Sequence, residues 1–189
     1  MMSRSISLVS VPVLMFALAC DPPGDGPSGT DDLEAPAAEL MGLLVESRLE
    51  EFASRMHYPD IYTPDQLAED RAGVEKSLGI LLREVGAIEG YERSEQRGPF
   101  LQVNVTGGDD SYWQTHPVGR SGSAVVFDAE FATIGEGVVQ IGFANTPDGR
   151  QVRNVGIGVR ASRADARATM ESIMAKFKEA DVAENSKAP

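Results

Sequence analysis

The chain of 189 residues is poor in the side chains that most often build catalytic and metal centres. It has one cysteine, two histidines and one tryptophan. A single cysteine cannot form a disulfide within the chain, and two histidines 59 positions apart do not make a zinc signature. Basic residues are also scarce, with 17 lysines and arginines against 29 acids. We therefore expect no metal and no other cofactor. We also expect no nucleic-acid partner, because binding a nucleic acid would require a basic surface.

Long apolar runs are absent after residue 20, and the one run in the chain lies at its start. Residues 6–18 form an apolar segment of 13 residues that only serines and Pro12 interrupt, and Arg4 precedes it. A transmembrane helix needs about 20 apolar residues, whereas the apolar region of an export signal has about 7–15. The sequence therefore predicts a signal peptide over residues 1–19.

Cys20, the chain's cysteine, follows directly on Ala17, Leu18 and Ala19. This segment resembles the lipobox of bacterial lipoproteins, although Ala17 and Leu18 stand in the reverse of its usual order. The resemblance implies that the signal peptide is removed and that Cys20 carries fatty acyl chains such as palmitate. The protein would then be anchored to the membrane on the exported side of the bacterial cell envelope, since two or more acyl chains hold a protein stably there. Asp21 resembles the signal that retains such proteins in the inner membrane. An ordinary secretory signal cut just before the cysteine is the alternative.

The mature chain divides by composition into a tether, one folded domain and a short tail. Residues 20–35 contain five acids, no bases and one large apolar residue, a composition that cannot bury enough surface to fold. We predict a disordered acidic tether here, with a root-mean-square reach of roughly 20–24 Å. Residues 36–180 are long enough for a single domain with its own core, and residues 181–189 are predicted to fray.

Hydrophobic periodicity predicts two helices at the start of the domain. In the first, residues 37–56, apolar side chains recur at steps of three and four. These side chains are Met41, Leu44, Val45, Leu49, Phe52 and Met56. The second helix, residues 64–85, has the strongest start signal in the chain, because Thr63 and Gln66 have the spacing of a capping box. Gly86 is its predicted C-cap.

After Gly86 the apolar period changes to two, which predicts strands. They lie around residues 88–95 and along residues 101–106, 125–131, 139–143 and 155–159. We expect an antiparallel meander whose apolar face the helices cover. A final helix, with Ser162 at its cap and an apolar face from Met170 to Phe177, follows the last strand. The predicted fold class is therefore α+β, with two N-terminal helices packed on a four- to five-stranded antiparallel sheet and a C-terminal helix.

The helix over residues 64–85 and the hairpin joining residues 125–131 to 139–143 resemble the cystatin-like superfold, specifically the nuclear-transport-factor-like family of small exported bacterial proteins. The resemblance covers about residues 37–159, and the C-terminal helix departs from the commonest form of the family. It implies a pocket between helix and curved sheet, in which some members carry out catalysis and others bind ligands.

His57, Tyr58, Asp60 and His116 are the candidate catalytic residues, because they occupy loops that could meet at such a pocket. Acid–base catalysis there would need a histidine or a pair of carboxylates facing inward. The acids of the strand 125–131 alternate with its aromatic residues, so we expect them to face solvent. Isolated histidines in loops favour a structural role over a catalytic one.

The segment Gly156-Ile157-Gly158-Val159-Arg160-Ala161 matches the Gly-x-Gly-x-x-Ala fingerprint of dinucleotide sites. That fingerprint belongs in the first βα turn of a parallel sheet, with an acid about 20 residues further on. Here Val155, Ile157 and Val159 continue a strand through the glycines. We expect this segment to be a strand and not a nucleotide site.

These observations favour a lipid-anchored, non-catalytic binding or interaction module. One alternative is an enzyme that uses a helix–sheet pocket of the nuclear-transport-factor-like kind, and another is a structural envelope protein without a small ligand. A structure separates the first two, because only the enzyme needs ionisable side chains between the second predicted helix and the sheet.

Overall fold

The computed structural model describes residues 31–58, 60–95, 99–107, 123–146 and 149–185. Cys20, His116 and the predicted signal peptide lie outside these ranges. The described part contains four helices and five strands. The helices are α1 (Asp31–Val45), α2 (Leu49–Ser54), α3 (Pro64–Val85) and α4 (Ala166–Asn185). The strands are β1 (Ile88–Arg93), β2 (Phe100–Thr106), β3 (Ser123–Phe131), β4 (Gly135–Thr146) and β5 (Gly149–Arg160). The predicted α+β class is confirmed, with a C-terminal helix and an antiparallel sheet.

Helix α3 begins and ends where the sequence predicts. The amide of Gln66 donates to Thr63 Oγ1 at 3.3 Å, and the amide of Thr63 donates to Gln66 Oε1 at 3.0 Å. This reciprocal pair is a complete capping box. Gly86 ends the helix with φ 93°, and a Cβ there would collide with the backbone of Thr133, so glycine is required.

The predicted helix over residues 37–56 is two helices, α1 and α2, because the first ends just before Ser47. Ser47 is left-handed, with φ 54°. Its amide donates to the carbonyl of Leu44 at 3.1 Å, and the amide of Arg48 donates to the carbonyl of Leu43 at 2.8 Å. This pattern ends a helix at a left-handed residue, most often glycine. Serine in that place carries no stop signal, and the apolar periodicity continues across the break.

Helix α1 begins at Asp31, within the residues assigned to the tether. Leu33 is only 2% exposed, and Glu34 forms an ion pair with Arg93 of β1. Residues 31–35 therefore belong to the folded domain. At the other end of the chain, α4 begins at Ala166, so Ser162 is not its cap, and it continues to Asn185, past the expected start of fraying.

The five strands form one antiparallel sheet in the order β1-β3-β4-β5-β2. The meander that we expected is limited to β3, β4 and β5. Strand β2 does not pair with either neighbour in the sequence, and it lies against β5 at the far edge with Gln102 opposite Gly158. The hairpin from β4 to β5 closes with Thr146 opposite Gly149.

Directly paired residues share a face of the sheet, so the register divides it into two faces. The core face carries Leu101, Val103, Val105, Val125, Phe127, Ala129, Phe131, Val139, Ile141, Phe143, Val155, Ile157 and Val159. The polar face carries Glu92, Gln102, Asn104, Asp128, Glu130, Glu136, Gln140, Asn154 and Arg160. Helix α1 packs on β1 and β3, α3 on β2, and α4 on β2 and β5. No helix in the described residues is long and apolar enough to cross a membrane.

Candidate functional site

The space between α3 and the sheet is filled with apolar side chains. Leu78 and Leu81 of α3 lie in one hydrophobic cluster with Phe127 and Ile141 of the core face, and each is 2% exposed or less. Among the described residues the buried polar side chains are Gln102, Asn104 and Gln140, which all lie on the polar face. In the described part of the chain, core side chains therefore fill the space where the family resemblance implies a pocket.

In the described part of the chain, His57, Tyr58 and Asp60 are not brought together around one cavity. The ring of His57 contacts Gln151 through Nδ1 and Oε1 at 2.8 Å, and its backbone amide donates to Val152 at 2.6 Å. Tyr58 is buried, and its hydroxyl donates to the carbonyl of Ala53 at 3.0 Å. Asp60 is exposed. His57 and Tyr58 thus fasten the loop before α3 to β5 and α2. The prediction for His116 lies outside the described residues.

The polar face holds a buried network of amide side chains that sequence analysis missed. Gln102 Nε2 donates to Asn104 Oδ1 at 3.0 Å and to Gln140 Oε1 at 2.8 Å, which links β2 to β4. The network crosses β5 above Gly156, where a Cβ would lie 2.7 Å from Gln102 Cδ and 2.8 Å from Asn104 Oδ1. Glycine is needed there so that the amides can lie flat against the strand. The prediction that the Gly-x-Gly segment is a strand is confirmed, and these contacts explain the glycine at position 156.

A groove of about 650 Å³ opens at the other end of the polar face. Its walls come from β1, β3, β4, the end of β5 and the segment that follows it. The lining residues are Gly90, Tyr91, Glu92, Asp128, Ala129, Glu130, Glu136, Gly137, Arg160, Ser162 and Arg163. This groove, called the acidic groove below, is lined by four carboxylates and two guanidinium groups.

Both guanidinium groups at the acidic groove are already engaged. Arg160 forms an ion pair with Asp128 and donates to Ser94 Oγ at 2.9 Å, so it ties β5 to β3 and to the end of β1. Arg163 binds both carboxylate oxygens of Asp165, at 2.6 and 2.9 Å, and donates to the carbonyl of Glu136 at 2.7 Å. The hydrogen bonds from Arg163 hold the pKa of Asp165 below its ordinary value.

The remaining charges in the acidic groove are carboxylates that face one another across the strands. Glu130 lies directly opposite Glu136, and Glu92 lies directly opposite Asp128. Like charges in directly opposed positions destabilise a sheet. Within the described residues Glu92, Glu130 and Glu136 have no ion-pair partner. The groove therefore has an excess of negative charge, which complements a positively charged ligand.

Comparison with protein-family models, curated proteins and solved structures found no match. The sequence signal for the groove was the alternation of Asp128 and Glu130 with the aromatic residues of β3. That signal identified the solvent side of β3 correctly. It did not identify the groove, because Glu92, Glu136 and Arg160 join these residues only through strand pairing.

Proposed function

We propose that this protein is a lipid-anchored protein of the bacterial cell envelope whose domain is a non-catalytic binding or interaction module. The observation that supports this proposal best is the packing of the helix–sheet space. Leu78, Leu81, Phe127 and Ile141 pack together in the space between α3 and the sheet. The family resemblance would place the catalytic groups of an enzyme in that space. In the described residues, the acidic groove on the opposite face is open and charged. Binding there requires no catalytic groups.

The proposed anchor is Cys20, on the exported side of the membrane, and Asp21 favours the inner membrane. Because α1 begins at Asp31, ten residues, 21–30, separate the cysteine from the domain. A fully extended chain of this length spans at most about 33–36 Å. The domain would therefore stay close to the bilayer, which suits a module that binds partners at the membrane surface.

The anchor is tested by Cys20→Ser in cells that express the full precursor. We expect the variant to keep its signal peptide, to take up no labelled palmitate and to leave the detergent phase in a phase-separation assay. Ser28→Ala, a change between the cysteine and the domain, is the matched control and should behave as the wild type. A Cys20→Ser protein that is processed and membrane-bound as before would show that the cysteine is not the anchor.

The binding role is tested by affinity purification from detergent-solubilised envelopes. Glu130→Lys reverses a charge in the acidic groove, and Glu69→Lys reverses an exposed charge on α3. We expect proteins that co-purify with the wild type to be lost with Glu130→Lys and retained with Glu69→Lys. If the wild type and both variants recover the same proteins, the partner binds outside the acidic groove; if none of them recovers any, the structural alternative replaces the binding module.

A further inference from the structure

We propose that the free edge of β1 and the acidic groove together form a site for an extended peptide that has lysine or arginine at alternate positions. The peptide would join the sheet as a sixth strand beside β1. This inference rests on the proposed binding function and gives it a ligand class. Main-chain hydrogen bonds provide affinity in such strand addition, and alternate side chains provide specificity.

The first support is the edge itself. Strand β1 is outermost in the sheet and pairs with β3. The amide of Ser94 donates to the carbonyl of Val126 at 2.9 Å, which fixes the alternation of hydrogen bonds along this pair. The backbone amides and carbonyls of Gly90 and Glu92 therefore point toward β3. Those of Tyr91 and Arg93 point outward, away from the sheet. No backbone hydrogen bond to these outward groups occurs in the part of the chain that is described.

The second support is the position of Gly90 between this edge and the groove carboxylates. Gly90 lies opposite Glu130, which in turn lies opposite Glu136. A Cβ on Gly90 would meet no atom within 4 Å, so the space above it is open. Neighbouring strands are about 4.8 Å apart, which places the backbone of Glu130 roughly 10 Å from an added strand. A lysine or arginine opposite Gly90 can therefore lie across the glycine and bring its charge to both glutamates.

The third support is charge. The opposed pairs Glu130–Glu136 and Glu92–Asp128 concentrate negative charge beside the edge, and only Asp128 has an ion-pair partner among the described residues. A cationic side chain would relieve the repulsion between the glutamates. The same charges oppose pairing with a second copy, because exposed charges on an edge strand prevent association and each chain carries a formal net charge of −12. The charge at this edge therefore disfavours pairing with a second copy of the chain and favours pairing with a basic strand.

The proposal is tested with the full lipidated chain in detergent micelles and the fluorescently labelled peptide acetyl-Lys-Val-Lys-Val-Lys-Val-amide, whose binding is followed by anisotropy. Two further peptides carry N-methyl groups, one on every lysine amide and the other on every valine amide. Because the amides of successive residues in a strand point to opposite edges, only the lysine amides or only the valine amides of the bound peptide can face β1. We expect one methylated peptide to lose at least tenfold in affinity and the other to bind like the parent. Equal binding by both would overturn strand addition, as would failure of the parent peptide to bind.

Variants test the two halves of the site separately. Tyr91→Pro removes an outward amide that has no partner in the described residues, but it also removes the edge-to-face contact of the Tyr91 ring with Phe127. Tyr91→Ala, which loses the ring and keeps the amide, is therefore the control, and Tyr91→Pro should bind the peptide at least tenfold more weakly than Tyr91→Ala. Glu130→Gln should weaken binding several-fold and reduce its dependence on salt, whereas Glu69→Gln should do neither. If Tyr91→Pro fails to fold, the comparison of the two methylated peptides still tests strand addition at β1. Competition by spermine at the affinity of the peptide would indicate a site for small cations and overturn the proposal.

These outcomes are distinguishable from failure of the proposed function. If the peptide does not bind while Cys20→Ser still releases the protein and Glu130→Lys still alters the co-purified proteins, the anchored binding module remains and strand addition at β1 is wrong. If neither envelope experiment gives the expected result, the broader proposal is wrong as well.

Discussion

Replacing Gly158 by alanine would put a methyl group between β5 and β2, where there is no room for it. The methyl carbon would lie well inside contact distance of the carbonyl oxygen of Leu101, and 2.6 Å from Gln102 Cα. These are backbone atoms of the paired strand, so rotation of a side chain cannot relieve the collision. The two strands must separate locally, and the amide network that Gln102 holds must move with them.

The expected cost is large for a single methyl group. Overpacking a well-packed interior costs typically about 1–3 kcal/mol, and we expect the upper end, about 3 kcal/mol, because rigid backbone must move. For a domain of this size each kcal/mol lowers the melting temperature by about 2–4 °C, so Gly158→Ala should lower it by about 6–12 °C. Without the collision the sign would reverse, because glycine within a strand costs about 0.5–1 kcal/mol relative to alanine.

Gly42→Ala in α1 is the matched control, since a Cβ at Gly42 would meet no atom within 4 Å. It should stabilise the protein by about 0.5–1 kcal/mol through helix propensity. Both variants and the wild type would be compared by urea unfolding followed by circular dichroism. A Gly158→Ala protein within 0.5 kcal/mol of the wild type would refute the close approach of β2 to β5 and the register on which the polar face depends.

Three further predictions concern local structure. Thr63→Ala should cost about 0.5–2 kcal/mol in urea unfolding because it removes the capping box, whereas Thr63→Ser should retain most of the stability; equal loss in both would exclude the hydroxyl as the cause. Ser47→Gly should stabilise by about 0.5–1 kcal/mol, since glycine adopts the left-handed conformation without strain, and an unchanged midpoint would argue against φ 54°. In an NMR titration the pKa of Asp165 should be below its ordinary value and should rise in Arg163→Gln. Its ion pair therefore stabilises the fold above the ordinary carboxyl pKa, and the contribution disappears as the pH falls through the lowered value.

Features that depend on neighbouring residues could be predicted from the sequence. The start and end of α3 follow from Thr63, Gln66 and Gly86, whose side chains and backbone act within one turn of the helix. The strands follow from a period of two, and Val155, Ile157 and Val159 correctly placed β5 through its glycines. In each case the deciding interaction joins residues that are close in the chain.

Features that depend on pairing between distant segments could not be predicted. The sequence suggests a meander, but β2 pairs with β5, which lies about 50 residues further along the chain. Only this pairing shows why Gly156 and Gly158 are glycines, because the atoms that they accommodate belong to Leu101, Gln102 and Asn104. The same holds for the acidic groove, whose carboxylates are ordinary surface acids until the register of β1, β3 and β4 brings them together.

The two faces of the sheet differ in what they leave available for function. Helices cover the core face. Over β2, β4 and β5 the polar face is covered by the hydrogen-bonded amides of Gln102, Asn104 and Gln140, which pack against the glycines of β5. The Arg160–Asp128 ion pair joins β5 to β3 across β4, where Val138 lies directly opposite Asp128. Val138 is fully buried on this face, although it does not belong to the hydrophobic core cluster. Among the described residues, the corner formed by β1 and the adjoining ends of β3 and β4 stays open. Helix α1 is joined to this corner by the Glu34–Arg93 ion pair, so under the proposed anchor the chain from the membrane arrives beside the groove. Binding at this corner would therefore take place next to the bilayer.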